Sequence, residues 1–166
     1  MALRVDARTR AELNALVHEL KIARSNHDNL PQRLLAERLG VTPGSIVDWE
    51  VGRDSPTMFH LIRWAHALNL VLRVTERGRE PLRYQTSGPE MHDSWDEYEM
   101  RELALALHAA RLAQARSQGD VAAELGVNRW SISRWESGQG HPRPIGLLAW
   151  ANAVRRAVIL SPAPRE

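Results

Sequence analysis

Apolar residues recur at helical spacing along most of the chain. Leu13, Leu16, Val17 and Leu20 share one face of residues 7–26, which predicts an amphipathic helix. Capping residues or prolines precede the shorter apolar segments, and glycines follow several of them, as expected at helix ends. The pattern therefore predicts a mostly helical chain, with further helices over 32–39, 43–50, 57–68, 98–115, 118–125, 129–136 and 144–158.

One stretch departs from the helical period. Residues 70–75 alternate and are β-branched, a turn signal follows at 77–79, and residues 81–86 could form a returning strand. We therefore expect a short β-hairpin over 70–86. Because an isolated hairpin is marginally stable, it should either pack on its own domain or pair through its edge with a second chain. Residues 161–164 are predicted to be a tail.

The helical pattern is also repeated. The 39 residues 32–70 recur without a gap as 118–156, at an offset of 86, and fifteen positions are identical. A repeat of this length indicates one structural unit used twice. We expect a first domain over 7–86, a linker over 87–95 and a second domain over 96–160. The identical positions, numbered in the first copy, are Gln32, Ala36, Leu39, Gly40, Val41, Ser45, Ile46, Trp49, Glu50, Gly52, Pro56, Leu61, Trp64, Ala65 and Ala67.

Composition narrows the function classes. The chain has no Cys, which excludes disulfides and thiolate metal sites, and no apolar run approaches the ~20 residues that span a bilayer. The N-terminus lacks the apolar core of a signal peptide, so we expect a cytoplasmic protein with no membrane contact. No histidine–acid cluster has ligand spacing, and no nucleophile or phosphate-loop signature occurs. We therefore expect no metal, no cofactor and no enzymatic activity.

Charge is unevenly distributed although the net charge is only +2. Residues 111–156 hold seven arginines and three acidic residues. Arginine presents a planar, always-charged fork that can bind phosphates or guanines. The charge distribution therefore indicates that the second copy is better suited to bind an anionic partner.

Both copies have the pattern helix, glycine turn, helix, which is typical of a helix-turn-helix. The chain resembles the lambda-repressor-like (XRE) helix-turn-helix family through Gln-x-x-x-Ala-x-x-Leu-Gly-Val-x-x-x-Ser-Ile-x-x-Trp-Glu-x-Gly, which begins at Gln32 and again at Gln118. The resemblance implies an all-α fold of two tandem domains that bind double-stranded DNA. It also implies that Glu50 and Glu136 pair with an arginine of the preceding long helix, for which Arg24 and Arg111 have suitable spacing.

The tryptophans are better explained by packing than by base stacking. Four of the six occupy apolar positions that match between the copies, so we expect Trp49, Trp64, Trp135 and Trp150 in the core. Trp95 precedes the second copy, and we expect it to dock on the second domain.

In the family, early residues of the third helix enter the major groove and meet base edges. The second copy offers a cationic and aromatic surface there, in which arginine can bind guanine bidentately. The first copy offers no cation, and its acid could accept a hydrogen bond from cytosine. The candidate base contacts are Arg129, Trp130, Ser133 and Arg134 in the second copy, and Pro43, Gly44, Val47 and Asp48 in the first.

Contacts to phosphates position such a protein on DNA. The glutamines that open the second helices lie where free N–H groups favour an anion, and basic or polar residues follow the third helices. The candidate phosphate contacts are Gln32, Arg33, Ser45, Arg53, Gln118, Ser131, Gln139, His141 and Arg143.

These patterns predict a sequence-specific transcriptional regulator, acting as a repressor, which reads one asymmetric site with two non-identical domains. The family resemblance suggests that the chain is a temperate-phage immunity repressor. An alternative stays open: only the second domain binds DNA, and the first binds a protein partner or mediates dimerisation, which the 70–86 hairpin could also do.

Overall fold

The structure, a computed structural model, describes residues 2–27, 29–78 and 94–164. Within this part of the chain there are eight helices and two strands, so the prediction of a mostly helical protein with two helix-turn-helix units is confirmed. We call residues 2–78 the first half and 94–164 the second half. The elements are α1 (Ala7–Ser25), α2 (Gln32–Leu39), α3 (Pro43–Val51), α4 (Met58–Ala67), β1 (Leu70–Glu76), α5 (Trp95–Ala113), α6 (Gln118–Leu125), α7 (Arg129–Ser137), α8 (Pro144–Ala153) and β2 (Arg156–Pro162).

The turn between the second and third helix is built the same way in each half. Gly40 and Gly126 end α2 and α6 with φ of 69° and 70°, a backbone region that is open to glycine at little cost. The next helix then starts at a side-chain cap: Thr42 accepts a hydrogen bond from the N–H of Ser45, and Asn128 does so from the N–H of Ser131. The repeated residues therefore fix the angle at which each third helix leaves the turn.

The two strands form an antiparallel pair, but the partner of β1 is not the one expected. β1 follows the first helix-turn-helix as predicted and pairs with β2 at the end of the second half, over Leu70–Glu76 and Arg156–Pro162. The expected returning strand over 81–86 lies outside the described residues. The expectation of a helix to residue 158 followed by a tail was wrong, because α8 ends at Ala153 and the chain turns at Arg155, where φ is 56°.

The register of the strand pair relates the two halves by a pseudo-twofold axis. Arg73 pairs with Ile159, which is its own equivalent in the repeat, and the two ends pair reciprocally, Leu70 with Pro162 and Glu76 with Arg156. Helix packing follows the same exchange, since α1 packs on α8 while its equivalent α5 packs on α4. The chain is thus folded as a pseudo-dimer, with one self-complementary interface joining its halves.

One apolar cluster runs through both halves. Trp64 and Trp150 are fully buried, Trp49 is buried and Trp135 is packed against the cluster, so the core assignment of these four tryptophans is confirmed. Trp95 does not dock on the second half as expected. It stacks on His66 of α4, with ring centroids 4.0 Å apart, and so contributes to the contact between the halves.

The predicted domain boundaries at 86 and 96 stay predictions, since most of the interval between them is outside the described residues. The expected self-association through the hairpin also stays untested, although one edge of β1 is already paired within the chain. No helix in the described part of the chain is long and apolar enough to cross a membrane.

Candidate nucleic-acid interface

A buried carboxylate, that of Glu50, holds the third helix of the first half in place. Glu50, at the end of α3, is paired with Arg24 of α1, whose Nη2 donates to it at 3.1 Å. The side-chain amide of Gln32, the first residue of α2, donates to the same carboxylate at 2.8 Å. The ion pair implied by the family resemblance is therefore present, and it ties three helices together around α3.

The second half repeats this anchor and extends it. Arg111 donates to Glu136 through Nε at 2.6 Å and Nη2 at 3.0 Å, and Gln118 donates at 2.8 Å. His108 adds a contact through Nδ1 at 2.8 Å. Burial alone would raise the pKa of Glu136, but the hydrogen bonds from Arg111, Gln118 and His108 outweigh it and lower that pKa below its usual range. The carboxylate is thus charged at neutral pH and holds α7 in place.

The four candidate base-contact positions of the second half form an accessible surface on α7. Trp130 is 74% exposed and is the most exposed large apolar side chain among the described residues. Arg129 and Arg134 are exposed, and Ser133 is partly exposed beside them. Within the described part of the chain, the side chain of Arg134 makes one hydrogen bond, a long one of 3.4 Å from its Nη2 to the carbonyl oxygen of Gln139. The guanidinium can therefore turn towards another acceptor at little energetic cost.

The equivalent surface of the first half has a different character. Pro43 and Gly44 are exposed at the start of α3, while Val47 is partly buried. Asp48, which occupies the position equivalent to Arg134, is ion-paired with Arg53 at 3.1 Å. This pair uses both the acid that could accept from cytosine and the cation that could bind a phosphate. The four candidate base positions of the first half thus include no cation, and the neighbouring Arg53 is paired with Asp48.

Some of the candidate phosphate-contact side chains already form hydrogen bonds within the protein, and others are largely exposed. The side chains of Gln32 and Gln118 already donate to the anchoring glutamates, so a phosphate would meet their second amide hydrogen or their backbone N–H. Ser45 and Ser131 lie at the N-terminal ends of α3 and α7, within hydrogen-bond reach of the caps Thr42 and Asn128. Arg33, the second residue of α2, is strongly exposed and forms a 4.0 Å ion pair with Glu37.

The segment that follows α7 contacts both the loop that follows α3 and the start of α4. Arg143 donates through Nη2 to the carbonyl oxygen of Ser55 at 2.9 Å, and His141 meets the edge of Phe59 with ring centroids 4.9 Å apart. Gln139 is exposed on the same loop of the second half. Two candidate phosphate residues, His141 and Arg143, therefore also join the halves.

Some residues of this interface were missed at the sequence level. His108 stands three residues before Arg111, on the same helical face, and that spacing could have placed it beside Glu136. The contact between Phe59 and His141 had no such signal, because it depends on how the halves pack.

The sequence and the geometry agree with a comparison against known families. The helix-turn-helix family model, of the XRE type, matches the chain twice, over residues 20–72 and 107–155. These segments cover more than half of the chain, which therefore belongs to this family. It is accordingly a DNA-binding transcriptional regulator of a family that is not an enzyme class. No curated protein and no solved structure gave a significant match.

Proposed function

We propose that the chain is a repressor that binds DNA as a monomer and reads an asymmetric site of about one to one and a half helical turns. The observation that carries this proposal is the reciprocal register of β1 and β2. Dimeric relatives use a twofold axis to set two reading helices on adjacent major-groove faces. Here the pseudo-twofold axis relates α3 to α7 within one chain, and the residues at their groove-facing positions differ.

The separation of the two reading helices is held by several contacts. The strand pair, the packing of α1 on α8 and of α4 on α5, and the bond from Arg143 to Ser55 all cross between the halves. A partly buried ion pair adds to them, since Arg63 donates to Asp96 at 2.8 Å. A frame fixed in this way favours one spacing between the two parts of the site, because a single inserted base pair rotates one part by about a tenth of a turn.

The second half is the stronger reader in this proposal. Its α7 offers two accessible arginines and an exposed tryptophan, which suit guanine edges and thymine methyl groups. The first half contributes by positioning and by weaker apolar contacts from Pro43 and Val47. Occupation of the operator then blocks transcription by exclusion.

The first test is Arg134→Ala, assayed on a site selected from a random duplex pool and on random DNA of equal length. Loss of a bidentate guanine contact should cost about 1–3 kcal/mol of discrimination between the two DNAs. If affinity falls equally on both DNAs, Arg134 contacts phosphate and the assigned base contact is wrong.

The matched substitution in the first half is Asp48→Ala, at the equivalent position. Removing the acid leaves Arg53 without its partner, so affinity should rise on both DNAs if this surface faces the backbone. A fall in specificity would indicate that Asp48 reads a base.

A second candidate function is favoured by the same ion pair. If Asp48→Ala changes neither affinity nor specificity, the surface of α3 lies away from DNA. The first half would then be a protein-binding module, with Val51 (56% exposed) at the end of its third helix as part of the contact.

A further inference from the structure

A cleft with a volume of about 850 Å³ opens between the two halves, beside the end of α3. In the first half it is bordered by α1, the end of α3 and the loop that follows α3, and the start of α8 completes it from the second half. Small-molecule sites have volumes of about 300–1,000 Å³ and often lie between domains, so the size and place of this cleft suit a ligand. We call it the junction cleft, and its lining includes Arg10, Leu13, Val17, Ser55, Arg143 and Ile145.

The pseudo-twofold axis gives the junction cleft a counterpart that is built differently. On the counterpart side, Phe59 of α4 meets the edge of His141, with ring centroids 4.9 Å apart. At the repeat offset of 86, the equivalents of Phe59 and His141 are Ile145 and Ser55, and both of these line the cleft. A pair of rings is thus replaced by an aliphatic chain and a hydroxyl. The smaller side chains leave room for an aromatic ring that the protein does not itself supply.

The walls of the junction cleft combine apolar and cationic side chains. Leu13 and Val17 of α1 and Ile145 of α8 are each only partly buried. Arg10 and Arg143 are exposed, lie in different halves, and have no ion pair with any residue that the structure describes. A ligand with one apolar and one anionic end would meet complementary groups from both halves.

Acidic side chains of the lining do not cancel this charge. The carboxylate of Glu50 is neutralised by Arg24, and Arg53, a third arginine of the lining, is neutralised by Asp48. Asp54 is exposed and accepts a hydrogen bond from the next backbone N–H at 2.8 Å. Within the described lining, two arginines without an ion pair therefore stand against one such carboxylate, and the cleft favours an anion.

We propose that the junction cleft binds a small aromatic carboxylate. Its ring packs against Leu13, Val17 and Ile145, and its carboxylate is bound by Arg10 and Arg143, since arginine forms strong charge-assisted hydrogen bonds with carboxylates. Arg143 is also a candidate phosphate contact, so the bound anion competes with DNA for it and acts as an inducer that releases the operator. The inducer role rests on the proposed function, whereas binding of the carboxylate does not.

The first experiment is isothermal titration calorimetry of the full chain, without DNA, against 1-naphthoate and its neutral analogue 1-naphthamide. The acid should bind at a single site with a dissociation constant below about 1 mM. The amide has nearly the same shape but no charge. It should bind about tenfold more weakly or worse, because a hydrogen bond to a charged group contributes at least that factor.

Two sets of variants separate the charge from the space. Arg10→Ala should weaken binding of 1-naphthoate by about tenfold and leave 1-naphthamide unchanged. Arg8→Ala is the matched control, because it removes the same charge from an exposed arginine of α1 that is paired with Glu12, and it should change neither. The double variant Ser55→His with Ile145→Phe, which we call the ring-filled variant, rebuilds the counterpart's ring pair in the cleft and should abolish binding of the acid.

A competition experiment then tests the inducer role. Saturating 1-naphthoate should weaken binding of the wild-type chain to the selected duplex, and the duplex should weaken binding of 1-naphthoate by the same factor. The ring-filled variant should bind the duplex equally well with and without the acid. Binding of the acid with no effect on DNA affinity would overturn the inducer role and support the site alone.

Absence of 1-naphthoate binding to the folded chain at about 10 mM would overturn the site itself. Equal affinity for the acid and the amide, or undiminished binding by the ring-filled variant, would overturn it as well. If Arg10→Ala instead lowers the salt dependence of DNA binding while the acid does not bind, the cleft contacts the DNA backbone and the inference is wrong. A wild-type chain that discriminates no DNA sequence would refute the proposed function, whatever the result with 1-naphthoate.

Discussion

Glu136 should stabilise the second half more than any other single carboxylate that the structure describes. Glu136→Ala removes the carboxylate partner of Arg111, whose side chain is only 8% exposed. Arg111 keeps a hydrogen bond to the carbonyl oxygen of Arg116 at 2.7 Å and a long contact with Nδ1 of His108 at 3.5 Å. Breaking a buried pair by removing one member typically costs 3–5 kcal/mol. Because Arg111 keeps that bond, we expect the low end, about 3 kcal/mol, in urea unfolding at pH 7.

The matched control is Glu50→Ala in the first half. Glu50 lacks a histidine partner among the described contacts, and Arg24 is slightly more exposed, at 13%, so this variant should lose less stability. The double variant Arg111→Met with Glu136→Leu should be more stable than Glu136→Ala, because no unpaired buried charge is left. A loss below about 1 kcal/mol for Glu136→Ala would refute the reasoning, since that is the range of exposed ion pairs.

The same carboxylate gives the stability a defined pH dependence. The pKa of Glu136 is lowered from its ordinary value of 4.5, so the unfolded chain binds the proton more readily than the folded chain. Its stabilisation is therefore fully present above about pH 4.5 and is lost as the pH falls through the lower folded pKa. Glu136→Gln should flatten that part of the stability profile.

The remaining predictions concern the surface, a half-buried acid and the strand pair. Trp130→Ala should change stability by less than about 0.5 kcal/mol, because the side chain is exposed, while weakening binding to the selected site; a large loss of stability would place Trp130 in the core. Burial, opposed by Arg73, raises the pKa of Glu99 to about 7, so the folded chain binds this proton more readily than the unfolded chain. The free energy of unfolding should therefore fall as the pH rises from 4.5 to 7, and Glu99→Gln should remove that fall in thermal melts. Leu72→Ala should cost about 2–5 kcal/mol, since Leu72 is buried in β1; a cost near zero would mean that the strand pair does not hold the halves together.

The helix-turn-helix frame could be predicted from the sequence because local chemistry specifies it. Gly40 and Gly126 mark the turns in the sequence, and Thr42 and Asn128 mark the residues at which the next helices start. Glu50 and Glu136, with their arginines, were recognised through the family resemblance. These features depend on neighbours within a few residues or on matched positions of the repeat.

β2 was missed for a physical reason that is visible at the end of α8. Both fourth helices give way to a strand through one residue with positive φ, Asn69 in the first half and Arg155 in the second. Asparagine tolerates that conformation and marks a break, whereas arginine gives no such signal. Transferring the strand at 70–75 across the repeat would have found β2 at 156–162.

The contacts between the halves could not be predicted from the sequence. The stacking of Trp95 on His66 and the bond from Arg143 to Ser55 join residues that are distant in the chain. No local pattern specifies them, because they form only when two complete units meet around the pseudo-twofold axis. The bond from the backbone N–H of Arg4 to the carbonyl oxygen of Leu125 is another contact of this kind.

The central claim is that one chain supplies both reading helices to one asymmetric site. The most direct measurement is selection of bound duplexes from a random pool, followed by the mass of the complex on the selected duplex. The account predicts a single non-palindromic motif of about one to one and a half helical turns, bound by one chain. A palindromic motif bound by two chains would contradict it.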